Sequence, residues 1–172
     1  MRVDPLADPQ PLIRRVYGYV AYRIGDGPDA EDITSETLER ALRYRESFDP
    51  RRGEPASWLI GIARRCIADA ATSGAKATAE MPEQAADSHE EAALQRLELR
   101  DAVGQLEERD RELVALRFGA DLSAKQIAAV LELKTNAVEV ALHRALGRLR
   151  RAIERDDQSS GESLVLKPEA SK

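Results

Sequence analysis

The sequence predicts an all-α protein of two small helical domains joined by a flexible acidic linker, with a helix-turn-helix in the second domain. Three observations predict this fold class. Apolar residues recur at steps of three and four, and no segment shows the apolar–polar alternation of a strand. Small and acidic residues dominate from about 72 to 88, as is typical of a linker. A capping motif and a tight turn separate two apolar repeats near residue 130.

A break rich in Gly and Pro separates the first two predicted helices. The first is expected from about Pro11 to Ile24, and residues 25–28 stop it. Asp29 is expected to cap the second helix, with Asp32 in the first turn, and this helix should end near Arg45. The residues expected to face the core are Leu12, Val16, Tyr19 and Val20 in the first helix and Ile33, Leu38, Ala41 and Leu42 in the second.

A loop and a third helix complete the first predicted domain. Residues 47–55 are expected to be a loop because two Pro and a Gly do not continue a helix. The third helix should begin near Ser57, and its apolar residues are Trp58, Leu59, Ile62, Ala63, Cys66 and Ile67. The predicted organisation is a first domain at 8–74, a linker at 75–92, a second domain at 93–155 and a disordered tail at 156–172.

The second domain is expected to contain further helices before its most informative stretch, residues 121–151. One carries Leu94, Leu97, Val103 and Leu106, and the next carries Leu113, Val114 and Leu116 and stops at Gly119. Ser123 and Gln126 then form a capping box, residues 132–134 make a turn, and Thr135 can cap a second amphipathic helix. This pattern is typical of a DNA-binding helix-turn-helix. An ordinary helical hairpin with a solvated basic face is the alternative that periodicity leaves open.

Composition excludes several classes of function. The chain has 26 basic and 31 acidic residues and a net charge of −5, which argues against coating DNA by bulk charge alone. It lacks an apolar run of the roughly 18 residues that a bilayer span needs, and it begins without a signal pattern, so no membrane insertion is expected. A single cysteine, Cys66, predicts a reducing, cytoplasmic setting. The sequence shows no nucleophile–base pair, phosphate loop or metal cluster, so neither an enzyme nor a cofactor is expected.

Two motifs stand in a characteristic order along the chain. Residues 29–38 read DAEDITSETL, and residues 142–150 contain LHRA followed by LR. Phe48-Asp49-Pro50 and Trp58-Leu59 lie between them. Over about residues 11–153 this set resembles bacterial RNA polymerase sigma factors of the extracytoplasmic-function (ECF) group. The resemblance implies a factor that binds core RNA polymerase and directs promoter-specific transcription initiation, with promoter DNA and an anti-sigma factor as further partners.

The resemblance also implies which residues make each contact. The acidic helix would dock on the clamp of the largest polymerase subunit, since carboxylates three and four residues apart share a helix face. The flap of the second subunit is the other implied polymerase contact. The residues implied at the polymerase are Asp29, Glu31, Asp32, Glu36 and Arg40. A solvated, capped helix N-terminus is the alternative interpretation of the acidic run.

Two further sets are implied at promoter DNA. The residues implied at the melting −10 element are Phe48, Arg51, Arg52, Trp58, Arg64 and Arg65. Those implied at the −35 element are Ser123, Lys125, Lys134, Thr135, Asn136, Glu139, His143, Arg144 and Arg148. Trp58 is either a stacking platform for a base or a core residue, and its place beside Leu59 and Ile62 favours the core. The acidic linker is either a nucleic-acid mimic inside the polymerase or a plain tether.

The sequence departs from the family pattern at three places. Glu139 and Ala141 stand where the family usually has basic residues, and Asn136 stands where it often has Gly. The third helix ends without a basic run. Glu139 therefore either reads a cytosine or weakens binding to the upstream element. Fewer phosphate contacts predict weak binding to free DNA. A conventional helix-turn-helix regulator acting on its own operator is the alternative function.

Overall fold

Our computed structural model describes residues 4–73 and 98–162, and all regular structure in these two ranges is helical. The all-α prediction is confirmed. The helices are α1 (Pro9–Ile24), α2 (Pro28–Tyr44), α3 (Pro55–Thr72), α4 (98–104), α5 (Glu108–Val114), α6 (Ala124–Leu131) and α7 (Thr135–Glu162). Within these ranges, none of the helices combines the length and the apolarity needed to cross a bilayer. The predicted linker at 75–92, together with Leu94 and Leu97, lies outside the described residues.

Proline sets the start of each of the first three helices. Each helix has Pro as its first residue, where a fixed φ and a missing N–H carry no penalty. The prediction that Asp29 caps α2 is therefore wrong. Pro28 takes the first helical position, Gly27 precedes it at φ 127°, and no side chain caps the helix. Asp29 and Glu31 lie in the first turn, and Asp32 follows one residue later.

Helices α1, α2 and α3 pack around a common core. Their fully buried residues include Val16, Tyr19, Val20, Ala41, Leu59, Ala63 and Cys66. The buried face of α2 includes Thr34 and Thr37, whose hydroxyls donate to backbone carbonyls four residues earlier at 2.6 and 2.7 Å. The prediction that Leu42 faces this core is wrong, since its side chain is 57% exposed. Ala41 fills the core position, and one helical step turns Leu42 about 100° away from it.

The second half forms the predicted helix-turn-helix. Helix α5 continues into one π-helical turn, Ala115–Gly119, and stops at Gly119 as predicted. The capping box of Ser123 and Gln126 is present at the start of α6, and Glu132 closes α6 in the left-handed conformation. Two details of α7 differ from the prediction. Thr135 is the first residue of α7 rather than its cap, and α7 continues to Glu162, past the predicted start of the tail at 156, because no Pro interrupts it.

The two halves of the chain pack against each other. Helix α1 contacts the π-helical turn, and α3 contacts α6. One hydrophobic cluster contains buried residues of both halves, among them Val16, Leu59, Leu116, Leu122 and Ile127. A second cluster lies inside the second half and includes Ala102, Val103, Leu106, Val114, Ala145 and Leu149. The interface between the halves is therefore continuous with the main core.

Candidate nucleic-acid and partner interfaces

The acidic start of α2 is exposed to solvent. Glu31 and Asp32 are exposed and Asp29 is partly exposed, and none of the three forms an ion pair within the described ranges. They lie within the first two turns of one helix, so their negative charges can meet a basic surface together. In this arrangement the three carboxylates can meet a partner without breaking an ion pair between residues that the structure describes.

Glu36 and Arg40 differ from the other predicted polymerase-binding residues because they hold two helices together. Arg40 pairs with Glu36 one turn earlier on α2, and its Nη1 lies 2.7 Å from Oδ2 of Asp69 on α3. The hydrogen bonds that Arg40 donates to Asp69 and then to Glu36 raise the pKa of its guanidinium group. The structure therefore places Glu36 and Arg40 in a bridge between α2 and α3.

A cavity of about 450 Å³ opens between the loop before α3, α3 itself and α6. The rings of Phe48 and Trp58 meet on its wall, with centroids 5.6 Å apart and planes at 60°. Trp58 is only partly buried: it packs against the core and also lines the cavity. Trp58 therefore contacts the core, as its place beside Leu59 and Ile62 suggested, and its ring also reaches the cavity. Ala129 and Val130 of α6 complete the wall, a contribution that the sequence pattern did not reveal.

The four arginines predicted at the −10 element differ in their contacts within the described part of the chain. Arg52 and Arg65 line the cavity, are exposed and form no ion pair among the described residues. Arg51 is 88% exposed but is paired with Asp49, with Nε 3.0 Å from Oδ1. Hydrogen bonds from the side chain and backbone of Arg51 lower the pKa of Asp49.

Arg64 does not line the cavity and is engaged elsewhere in the fold. Its Nε lies 2.9 Å from Oε1 of Glu112, and its Nη1 donates to the carbonyl of Val130 at 3.2 Å. In this arrangement α3 turns the Arg64 side chain toward the second half of the chain and away from the cavity.

Most of the residues predicted at the −35 element lie on the outer side of α7 or beside it. The predicted residues exposed there or beside it are Lys125, Lys134, Thr135, Asn136, Glu139, His143 and Arg144. Ser123 is used by the fold, since its hydroxyl accepts the Gln126 N–H in the capping box. Arg148 lies 2.6 Å from Oδ2 of the buried Asp110, so its charge is partly neutralised.

One residue of this surface was missed at the sequence level. Val140 is 45% exposed and lies between Asn136 and His143 on the outer face of α7. An apolar residue in a helix with an apolar repeat suggests a core position, which is why Val140 was not singled out. The sequence does contain a hint of this exposure. Val140 follows the buried Val138 by two residues, and two helical steps turn its side chain about 200° away from the core.

The single cysteine of the sequence, Cys66, occupies a core position. Cys66 is buried in the core of the first half. Burial raises the pKa of its thiol, so the thiolate that would act as a nucleophile is disfavoured.

Comparison with known proteins gives a consistent result. The model of Sigma-70 region 2 matches residues 10–77, and that of Sigma-70 region 4 matches residues 96–149. The chain is 33% identical over 150 residues to the ECF RNA polymerase sigma factor BldN of Streptomyces coelicolor, covering 82% of this chain and 57% of BldN. It is 31% identical over 142 residues to the ECF RNA polymerase sigma factor SigL of Mycobacterium tuberculosis, covering 78% of this chain and 80% of SigL.

Solved structures show the same fold. The sigma factor RpoE of Bartonella quintana, crystallised in complex with the anti-sigma factor NepR, matches with a TM-score of 0.63 at 18% identity. The match covers 83% of this chain and 92% of RpoE. At that level of identity the likeness concerns the fold.

Proposed function

The chain belongs to the ECF RNA polymerase sigma factors, and from this premise we propose that it binds core RNA polymerase and directs initiation at specific promoters. One observation carries the proposal: the described part of the chain presents two surfaces of different chemistry, each suited to a different form of DNA. One is a cavity lined by aromatic rings and free guanidinium groups, and the other is an exposed recognition helix. The protein acts in the cytoplasm by binding, with no catalytic step of its own.

The exposed acidic face of α2 is the proposed site for the polymerase clamp. Asp29, Glu31 and Asp32 form no ion pair with another described residue, so they offer three carboxylates to a basic coiled coil. Complementary charge favours both the rate and the register of docking. Glu36 and Arg40 support this face by fastening α2 to α3. The second half of the chain is proposed to contact the flap of the second polymerase subunit.

The cavity is the proposed site for an unpaired base of the −10 element. Phe48 and Trp58 provide rings on which a base can stack, and Arg52 and Arg65 can follow the backbone of the separated strand. This combination suits single-stranded DNA better than a duplex, because a paired base keeps its faces inside the stack. Arg51 contributes less, since Asp49 already holds its guanidinium group.

The outer face of α7 is the proposed reader of the −35 duplex. Asn136 and His143 offer polar groups to base edges, and Val140 offers an apolar contact of the kind that thymine methyl groups accept. Lys134 and Arg144 are placed for phosphates on either side. Arg148 has a smaller role because it also pairs with Asp110.

Replacing Glu139 by Lys is expected to tighten binding of the holoenzyme to −35 duplexes. The exposed carboxylate, which forms no ion pair among the described residues, faces the same side as Asn136 and His143, where phosphate repels it. Each added phosphate contact should steepen the dependence of log K on log salt concentration by about 0.9. Titration of the holoenzyme against a randomised −35 library at several salt concentrations measures both effects. An unchanged affinity, salt slope and base preference would show that Glu139 points away from DNA.

Run-off transcription with purified core RNA polymerase tests the proposed function. The protein is expected to produce discrete transcripts from a library of promoters, and core polymerase alone is the control. A conventional regulator would instead occupy its operator without polymerase and would not produce transcripts with core enzyme. Because RpoE was crystallised with an anti-sigma factor, we propose that this chain also takes a partner of that class.

A further inference from the structure

The cavity beside α3 presents its functional groups in a linear order. Trp58, Gly61 and Arg65 follow one another at steps of three and four residues, so they lie on one face of α3. Glu54 directly precedes the first turn of this helix and lines the same cavity. Seven helical residues place Arg65 roughly 10 Å along the axis from Trp58. The face therefore offers a carboxylate, an aromatic ring and a guanidinium group in that order.

The carboxylate at one end of this row is held in place by α6. Nε2 of Gln126 donates to Oε2 of Glu54 at 2.7 Å. The Gln126 amide is itself fixed, because its Oε1 accepts the backbone N–H of Ser123 at 2.8 Å. Oε1 of Glu54 has no hydrogen-bond partner among the described residues. Glu54 is thus oriented by the fold and can still accept from an N–H donor in the cavity.

The middle of the row is open. A Cβ added to Gly61 would meet no atom within 4 Å, so the fold leaves this part of the cavity unfilled. The rings of Phe48 and Trp58 border the same space. The cavity volume of about 450 Å³ lies within the range of roughly 300–1,000 Å³ that is usual for small-molecule sites. The space therefore suits a ligand with a flat ring.

The carboxylate of Glu54 favours one base over the others. Guanine carries a ring N–H and an amino group side by side, so both can donate to one carboxylate. Adenine and cytosine have a single amino group on the corresponding edge. Uracil and thymine place carbonyl oxygens on both sides of their N–H, and these oxygens repel a carboxylate. Guanine is therefore the base that this edge of the cavity suits best.

The cavity also has groups for a phosphate. Arg52 and Arg65 are exposed, line the cavity and form no ion pair among the described residues. Guanidinium groups bind phosphate through short, charge-assisted hydrogen bonds. Stacking surface, base-edge acceptor and phosphate donors are the three parts of a nucleotide site.

We propose that this cavity binds a free guanine nucleotide. The base stacks on Phe48 and Trp58 and donates to Glu54, and the phosphate meets Arg52 and Arg65. The same rings are the proposed platform for the unpaired base of the −10 element, so a bound nucleotide excludes that base. The binding stands on the geometry of the cavity alone, whereas the competition rests on the proposed function.

Fluorescence of the free protein tests the binding directly. Trp58 is the single Trp of the chain, so its emission reports on this cavity. Guanosine 5′-monophosphate (GMP) is the probe, and stacking of its base is expected to quench the emission in a saturable titration. Adenosine 5′-monophosphate (AMP) should bind about tenfold more weakly because it loses a hydrogen bond to a charged group. Guanosine, which lacks the phosphate, should also bind at least about tenfold more weakly.

Gly61→Leu is the variant that blocks the cavity. Its side chain enters open space and Leu favours the helix, so α3 should persist by circular dichroism while GMP affinity falls by about tenfold or more. Gly104→Leu is the matched control, because an added Cβ there also meets no atom within 4 Å and the residue lies outside the cavity. Glu54→Gln should remove the preference for GMP over AMP and keep the dependence on phosphate.

Promoter opening by the holoenzyme tests the competition. In permanganate assays without nucleoside triphosphates, GMP should suppress opening at about tenfold lower concentration than AMP. This preference should disappear in the Glu54→Gln holoenzyme. The proposal is overturned if GMP leaves Trp58 emission unchanged, if Gly61→Leu binds GMP as the wild type does, or if saturating GMP leaves opening unchanged. A wild-type holoenzyme that opens no promoter would remove the proposed function, whereas the fluorescence titration would still decide whether the cavity binds the nucleotide.

Discussion

The double variant Asp29→Lys and Asp32→Lys is expected to weaken binding to core RNA polymerase by about 100-fold or more. Both carboxylates are free of ion pairs within the described part of the chain, so their replacement removes attraction to a basic surface and adds repulsion. The fold should survive, because neither side chain caps α2 or bridges to another helix. Lysines near the helix N-terminus oppose its dipole by only about 0.3–1 kcal/mol each. Fluorescence titration of labelled core enzyme measures the loss.

The matched control for this variant is Asp101→Lys with Glu107→Lys, which makes the same change in net charge at two exposed sites of the second half. If the control weakens binding as much as the double variant does, general charge rather than the face of α2 is responsible. Glu36 is unsuitable for this experiment. Its reversal would also break the bridge through Arg40 to Asp69, and a loss of binding would then be mixed with a loss of structure.

The double variant Arg52→Ala and Arg65→Ala is expected to reduce promoter opening by about 10- to 100-fold while leaving the affinity for core polymerase unchanged. The two guanidinium groups line the cavity without ion-pair partners among the described residues, so each is free for a phosphate of the separated strand. Losing two contacts to a single strand should also reduce the slope of log K against log salt concentration by about 1.4. Permanganate reactivity of unpaired thymines reports the extent of promoter opening, and a salt series of the same measurement gives the slope.

Arg51→Ala is the control for promoter opening. It removes a guanidinium group from the loop that also carries Arg52, but this group is already paired with Asp49, so its loss should cost much less. Equal losses from Arg51→Ala and from the double variant would show that the loop acts through its total charge. An unchanged salt slope in the double variant would show that the cavity does not meet the DNA backbone.

Local patterns in the sequence predicted most helices and the residue types on the two surfaces that we propose to face DNA. The capping box at Ser123 and the stop at Gly119 depend on neighbours within four residues, and both predictions are confirmed. The errors at the starts of α2 and α7 are of one or two residues. They arise because Pro28 competes with Asp29 for the start of α2, and because Thr135 is itself helical rather than capping α7.

The candidate site was less predictable than the helices. The sequence supplies eleven arginines before residue 75, and nothing in their spacing distinguishes a free guanidinium from a paired one. Arg52 and Arg65 remain available, whereas Arg64 meets Glu112 and Arg40 meets Asp69. Each of these partners lies at least 29 residues away in the chain. Ion pairs of this kind depend on how helices pack, and helical periodicity contains no information about it.

The amino-acid sequence by itself determined the helices, the helix-turn-helix and the acidic and basic residue types available for polymerase and DNA, because these follow from short-range propensity and charge. Only the tertiary structure decided which of those residues are free to bind. It also decided that the two halves share a core, since Gly18 meets Gly119 and Tyr19, Arg23 and Arg64 meet Glu112. The physical reason is that a close backbone crossing and a buried carboxylate with three donors require groups distant in sequence to be brought together by the packing of whole helices.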